Sequence, residues 1–175
     1  MNMNKRNHNL ATGAIIAALY AALTYGQEML FPGSASAAVQ FRVSEALAVL
    51  ALFTPAAVPG LTIGCALSNL IFMGALPLDV VLGSLATFLA AVSMYKLKDF
   101  TLKEIPFAAL LMPAVFNGVI IGLEIEVFFI EGPFHFTSFL IQGGCVAVGE
   151  LGVCMSLGLL LYKVIKNKKL QKYLK

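Results

Sequence analysis

Arg42 and Glu45 stand three residues apart in AVQFRVSEAL, the stretch Ala38–Leu47. Gln40 and Ser44 flank them, and the apolar run Ala46–Phe53 follows at once. At i and i+3 on a helix, a guanidinium and a carboxylate can pair. More polar groups sit inside other apolar segments. Asn117, Ile121 and Glu124 follow i, i+4, i+7, one helical face. Gln142, Cys145 and Gly149 follow i, i+3, i+7, with Glu150 on the flank, and Asn69 lies in a fourth apolar stretch. Charged groups at the centre of a membrane span cost roughly 2.5–3.5 kcal/mol each. Where they occur they face the interior of a bundle and mark a ligand site or an ion path. The chemistry expected of these residues is therefore recognition, by donors and acceptors held out of lipid.

Blander roles compete with that one. Arg42 and Glu45 would also serve as an interfacial ion pair. Asn69 and Asn117 would also serve as interhelical glue, worth about 0.6 kcal/mol per bond. Asp79 reads as a helix N-cap, Glu126 and Glu131 as solvated loop carboxylates, and Glu28 as interfacial. His8 and His135 read as solvated too, and with no His/Glu cluster a metal centre has no support. Cys65, Cys145 and Cys154 show no CxxC or metal-ligand spacing and behave as small hydrophobes.

The elements that position these groups follow from composition. The chain has 175 residues, 59% of them hydrophobic and 12% charged. A soluble domain carries about 25% charged residues. So much apolar surface points to an all-α integral membrane protein, one membrane-embedded domain over residues 1–175. Six segments approach spanning character: Asn9–Phe31, Ser44–Ala56, Val58–Leu76, Asp79–Tyr95, Glu104–Ile130 and Phe136–Ile165. The second is too short to span without help, since a span takes roughly 20 residues. The N-terminus is expected to be a first span rather than a cleaved signal.

Eleven of the 12 Lys and Arg fall in the N-terminal stretch, the loop Lys96–Glu104, or the tail from Lys163 onward; Arg42 is the exception. A six-transmembrane-helix bundle with both termini cytoplasmic, and tails of about residues 1–8 and 166–175, puts those eleven on one side. Pro113 is expected to kink the fifth segment. Ala14, Ala18 and Ala22 recur every four residues on the first segment, and Gly60/Gly64 and Gly118/Gly122 repeat the spacing. Small residues so placed admit another helix, from this bundle or from a separate protein.

Taken together the chain resembles the substrate-binding S component of an energy-coupling-factor (ECF) transporter, and within that group the QueT family. QFRVSEAL at Gln40–Leu47 is the most specific match. GCALSNLI at Gly64–Ile71, DVVLGSLATFLAA at Asp79–Ala91, NGVIIGLE at Asn117–Glu124 and VGELGV at Val148–Val153 spread the likeness over nearly the whole chain. The resemblance implies a receptor for a queuosine precursor, a 7-deazaguanine such as preQ1, or queuine. It also implies partners: a transmembrane coupling protein and two ATP-hydrolysing subunits. The chain has no GxxxxGK[ST] phosphate loop, so ATP would be hydrolysed by those partners, and this chain itself would be neither enzyme nor cofactor carrier.

On that footing Gln40, Arg42, Glu45, Asn69, Asn117, Glu124, Gln142 and Glu150 are the expected substrate-binding residues, at the outer rim of a pocket. Phe41, Phe72 and Phe116 are available to stack, Pro32–Phe41 forms a lid, and Ala14, Ala18 and Ala22 make the partner interface. The alternatives are an S component for another vitamin-like molecule, an autonomous proton-coupled carrier using Glu124 or Glu150, or an assembly subunit. Internal repeats of the kind common in secondary carriers are absent from the sequence, against the carrier.

Overall fold

A computed structural model describes residues 3–34, 39–72 and 77–167, the side chain of Phe72 excepted. Ala35 and Ser36 of the expected lid, Gly74–Leu76 and the tail lysines from Lys168 onward lie outside the described residues. The order is α1 (Met3–Leu30), a 3-10 helix (Val43–Leu52), α2 (Ala57–Phe72), α3 (Pro77–Leu97), α4 (Phe107–Leu110), α5 (Met112–Glu124), α6 (Phe136–Val153) and α7 (Leu159–Asn167). Single π turns, Ile125–Phe129 and Cys154–Gly158, prolong α5 and α6. The described residues form no named strand.

Each expected segment is helical, but four are long and apolar enough to cross a membrane: Met3–Leu30, Pro77–Leu97, Phe107–Phe129 and Phe136–Asn167. Pro113 breaks the third of these. Its ring clashes with a preceding carbonyl, and the structure absorbs the clash by ending α4 at Leu110 and restarting at Met112.

The second segment behaves unlike the rest. Bonds of the 3-10 type, such as Glu45 N–H to the Arg42 carbonyl at 3.0 Å and Phe53 N–H to that of Leu50 at 3.0 Å, bound it. At about 2.0 Å per residue, ten residues wound this way reach about 20 Å, against about 15 Å for an α-helix. The tighter winding lengthens a segment otherwise too short. All its residues but Val43 are buried. It forms the axis of the bundle, and Leu47, Val49 and Leu50 pack there with Leu61, Met94, Leu110 and Tyr162.

The helices around it are sorted by face. On α5, Ala114, Asn117, Gly118, Ile121 and Glu124 point inward. Val115, Val119 and Leu123 point outward and are 49%, 53% and 45% exposed. Polar groups inside and aliphatic ones outside is the pattern a lipid solvent selects.

Glycine sets two of the crossings. A Cβ on Gly60 would stand 2.7 Å from the Gly13 carbonyl oxygen, so α1 and α2 meet backbone to backbone. A Cβ on Gly122 would stand 2.5 Å from the Gly143 Cα, which joins α5 to α6 in the same way. Both glycine pairs thus serve packing within the bundle. The alanine stripe does not. Ala14, Ala18 and Ala22 are exposed, because α1 turns Gly13, Ile16, Ala17, Tyr20, Thr24 and Gln27 inward.

Gln27 closes the connection after α1. Its Nε2 donates to Ser34 Oγ at 2.8 Å and to the Phe41 carbonyl, and its Oε1 accepts from Val43 N–H at 2.7 Å. Phe41 N–H also donates to the Ser34 carbonyl at 3.1 Å. Each such bond is worth about 1 kcal/mol net. Gln27→Leu is expected to destabilise the protein by roughly 2–3 kcal/mol, read as a lower denaturation midpoint in detergent.

Candidate functional site

Six elements and connections supply the polar interior. Tyr20 on α1 is fully buried, and its hydroxyl donates to Glu45 Oε1. Glu45, second residue of the 3-10 helix, is 1% exposed. Thr24, one turn beyond Tyr20, donates to Ser44 Oγ at 2.8 Å, a second tie between α1 and this helix. Arg42 stands just before the 3-10 helix and is 8% exposed, with Nη1 4.0 Å from Cys65 Sγ on α2. It lies within electrostatic range of both Glu45 and Glu150. Glu150 on α6 is 1% exposed.

The local sequence explains why these groups can meet. Gly149 precedes Glu150, and a Cβ there would stand 2.2 Å from the Gln40 carbonyl oxygen. Only glycine lets the chain entering the 3-10 helix lie flat on α6. At Gly152 a Cβ would touch the Phe41 ring at 3.3 Å. Gln40 and Arg42 are thereby pressed inward between α6 and α2.

A second group lies beside the first. Asn69 on α2 is buried, and its Nδ2 donates to the Asp79 carbonyl at 3.0 Å. A Cβ on Gly83 would stand 2.6 Å from that nitrogen, so glycine on α3 makes room for the amide. Glu124 on α5 is 3% exposed and within hydrogen-bonding reach of the Asp79 carboxyl. It is also in electrostatic range of Arg42. Asn117, seven residues earlier on the same face of α5, is buried.

Several buried atoms have no hydrogen-bond partner among the described residues: Glu45 Oε2, Glu150 Oε2, Asn69 Oδ1, Glu124 Oε1 and Asn117 Nδ2. Each such atom costs about 1–3 kcal/mol when left unmatched. Four are acceptors and one is a donor. Carboxyl groups also outnumber the guanidinium, with Glu45, Glu124 and Glu150 grouped around Arg42. The complementary occupant is rich in N–H donors, carries an acceptor, and is neutral or cationic.

Seven of the eight expected site residues are buried in these groups. Gln142 is not: it is half-buried, and eight residues of α6 put it about 12 Å along the axis from Glu150. The expected rim is also corrected, because Glu45 and Arg42 are enclosed rather than set at a mouth. Glu126 is no solvated loop carboxylate. It is 3% exposed and accepts from the His135 N–H at 2.9 Å, fastening the π turn after α5 to the head of α6. Asp79 sits in the first turn of α3, with its carboxyl toward Glu124 rather than serving only as a cap. Of the expected stacking rings, Phe41 is 49% exposed and Phe116 is half-buried, while the Phe72 side chain lies outside the described residues.

Tyr20 and Asp79 were absent from the sequence-based set. A tyrosine inside an apolar helix carries no sign of its partner. An i, i+3, i+4, i+7 count of the polar residues on α1 places Tyr20, Thr24 and Gln27 on one face, and that is the signal that would have found the first.

Comparison with known proteins agrees with the architecture. Residues 10–167 match the family described as QueT transporter. The chain is 34% identical over 151 residues to the queuosine precursor transporter QueT of Lactococcus lactis subsp. cremoris (strain MG1363), covering 83% of this chain and 85% of that protein. No solved structure matches the chain significantly.

Proposed function

The chain belongs to the QueT transporter family, and on that premise we propose that it is the substrate-binding subunit of an ATP-driven importer for a queuosine precursor, a 7-deazaguanine such as preQ1, or queuine. The observation that carries this reading is the set of buried, unpartnered acceptors around Arg42. A 7-deazaguanine presents adjacent ring N–H and exocyclic amine donors, one carbonyl acceptor and, in preQ1, an ammonium arm. A carboxylate such as Glu45 or Glu150 accepts two parallel bonds from the donor edge. Arg42 or Asn117 Nδ2 donates to the carbonyl. Gln40 and Asn69 add amide contacts. Such a site rejects a ligand lacking the donors, because its own acceptors then stay unmatched.

Six membrane-crossing segments with cytoplasmic termini, the 3-10 helix and α2 included, form the working topology. Transport is driven by ATP hydrolysed on two partner subunits, joined through a transmembrane coupling protein that docks on Ala14, Ala18 and Ala22. This chain then has no cofactor and no reaction of its own.

The test is a heat-denaturation screen of the purified protein against purine and deazapurine bases. Saturating deazaguanine is expected to raise the melting temperature, since a ligand at 100 times its Kd adds about 2.7 kcal/mol. Adenine, which lacks the donor edge next to a carbonyl, is expected to leave it unchanged. A shift with adenine alone, or with no base at all, ends this assignment.

A further inference from the structure

Arg42 faces Glu45 and Glu150, but a second acidic pair stands on different helices. Glu124 comes from α5 and Asp79 from α3, with their carboxyl groups within hydrogen-bonding reach. Two carboxyls share a hydrogen bond only when one of them carries a proton, because an ionised carboxylate has nothing to donate. Besides the pair itself, Arg42 is the charged group that acts on Glu124. From α6, the neighbours of the adjoining turn are Gly143 and Phe139, which do not titrate. On the same element, Glu126 is turned to the His135 N–H.

Independent observations point into this pair. Glu124 Oε1 is buried and unpartnered, and so is Asn69 Oδ1. Asn69 is anchored beside the pair through its bond to the Asp79 carbonyl. Two carboxyls and an amide oxygen make an acceptor-only cradle, the complement of an ammonium group with its several N–H donors.

We propose that Glu124 and Asp79, backed by the Asn69 amide oxygen, form a cation subsite that takes the ammonium of the ligand's side arm, apart from the Arg42, Glu45 and Glu150 groups that read its ring. The proposal rests on the functional reading above and adds the subsite that selects the arm. With the subsite empty, the pair holds one proton and one negative charge. When an ammonium enters, both carboxyls ionise, that proton leaves to water, and the pair with its guest again carries one negative charge. Lipid and protein thus meet the same net charge in both states, which avoids the large penalty of an uncompensated ion inside a membrane.

The experiment compares two bases on the purified full chain by titration calorimetry in buffers of different ionisation enthalpy. One is 7-aminomethyl-7-deazaguanine, and the other is 7-ethyl-7-deazaguanine, its uncharged isostere. Binding of the amine is expected to release about one proton and that of the ethyl base none, the pair holding one shared proton beforehand. The amine is expected to bind at least about 30-fold tighter, the scale of a buried charge pair. Its affinity falls with pH as the pair regains its proton, while that of the ethyl base stays flat. Glu124→Gln and Asp79→Asn are expected to remove the proton release and most of the preference while keeping the ethyl base bound.

Equal affinity for both bases without proton release overturns the subsite and leaves the substrate assignment standing. Loss of both bases by the same factor in both variants overturns it too, since that marks a structural role. If neither base binds the unaltered chain, the substrate assignment fails and the subsite falls with it.

Discussion

Glu45→Gln is expected to weaken binding of a 7-deazaguanine by about 30-fold or more, while the ligand-free protein becomes no less stable. The substitution keeps size and shape. Tyr20 can still donate to the remaining oxygen, as it does to Oε1. The change falls on Oε2, the buried atom without a partner, where an acceptor becomes an NH2 donor. A ligand donor meeting that NH2 makes a repulsive contact in place of a charge-assisted bond. Without ligand, the same change removes a carboxylate from a site 1% exposed, which lightens the desolvation burden of the fold. The two readouts should therefore move apart: lower affinity by titration calorimetry, with an unchanged or higher melting temperature. A fall in both by comparable amounts would assign Glu45 to structure and remove it from recognition.

Ala18→Trp is expected to cut cellular uptake of the precursor at least about tenfold while leaving equilibrium binding by the purified chain intact. Ala14, Ala17 and Ala18 on α1, with Pro59, Gly60, Ile63 and Leu67 on α2, line an apolar groove of about 440 Å3. Ala18 is exposed and on the face of α1 away from Tyr20 and Glu45, so the indole fills the groove without entering the site. Helices associate in lipid through close approach at small residues, and an indole there holds a partner helix away. Uptake measured in cells and binding measured on the isolated chain separate the two effects. Unchanged uptake would leave the stripe as plain lipid-facing surface and favour a carrier that works alone.

Much of this organisation was legible in the sequence because lipid punishes misplaced polarity. Asn69, Asn117, Glu124 and Glu150 lie in apolar runs, so burial inside a bundle was the cheap option for each. The segment boundaries followed from proline and glycine in the same way, and Pro113 broke its helix as expected. What stayed hidden depended on which way a face turned. VSEALAVLAL carries almost no polar contrast, so its period is unreadable, and 3-10 winding left no mark in it. The alanine stripe and the two glycine pairs look alike as spacings; only packing shows the stripe outside and the glycines inside. Glu126 resembled its solvated neighbours until the chain turned at Gly132 (φ 122°) and brought the His135 amide to it.

The glycine crossings limit how such a molecule can diversify. Beyond Gly13 and Gly60, and beyond Gly122 and Gly143, the nearest obstacle to any added atom is main chain, which has no alternative rotamer to adopt. Selection therefore finds almost no tolerated change along those two seams, and lineages with a taste for different cargo must have altered other surfaces. The permissive ones are the inward edge of α3, the approach to the 3-10 helix and the head of α2, where one side chain can be exchanged without parting two backbones.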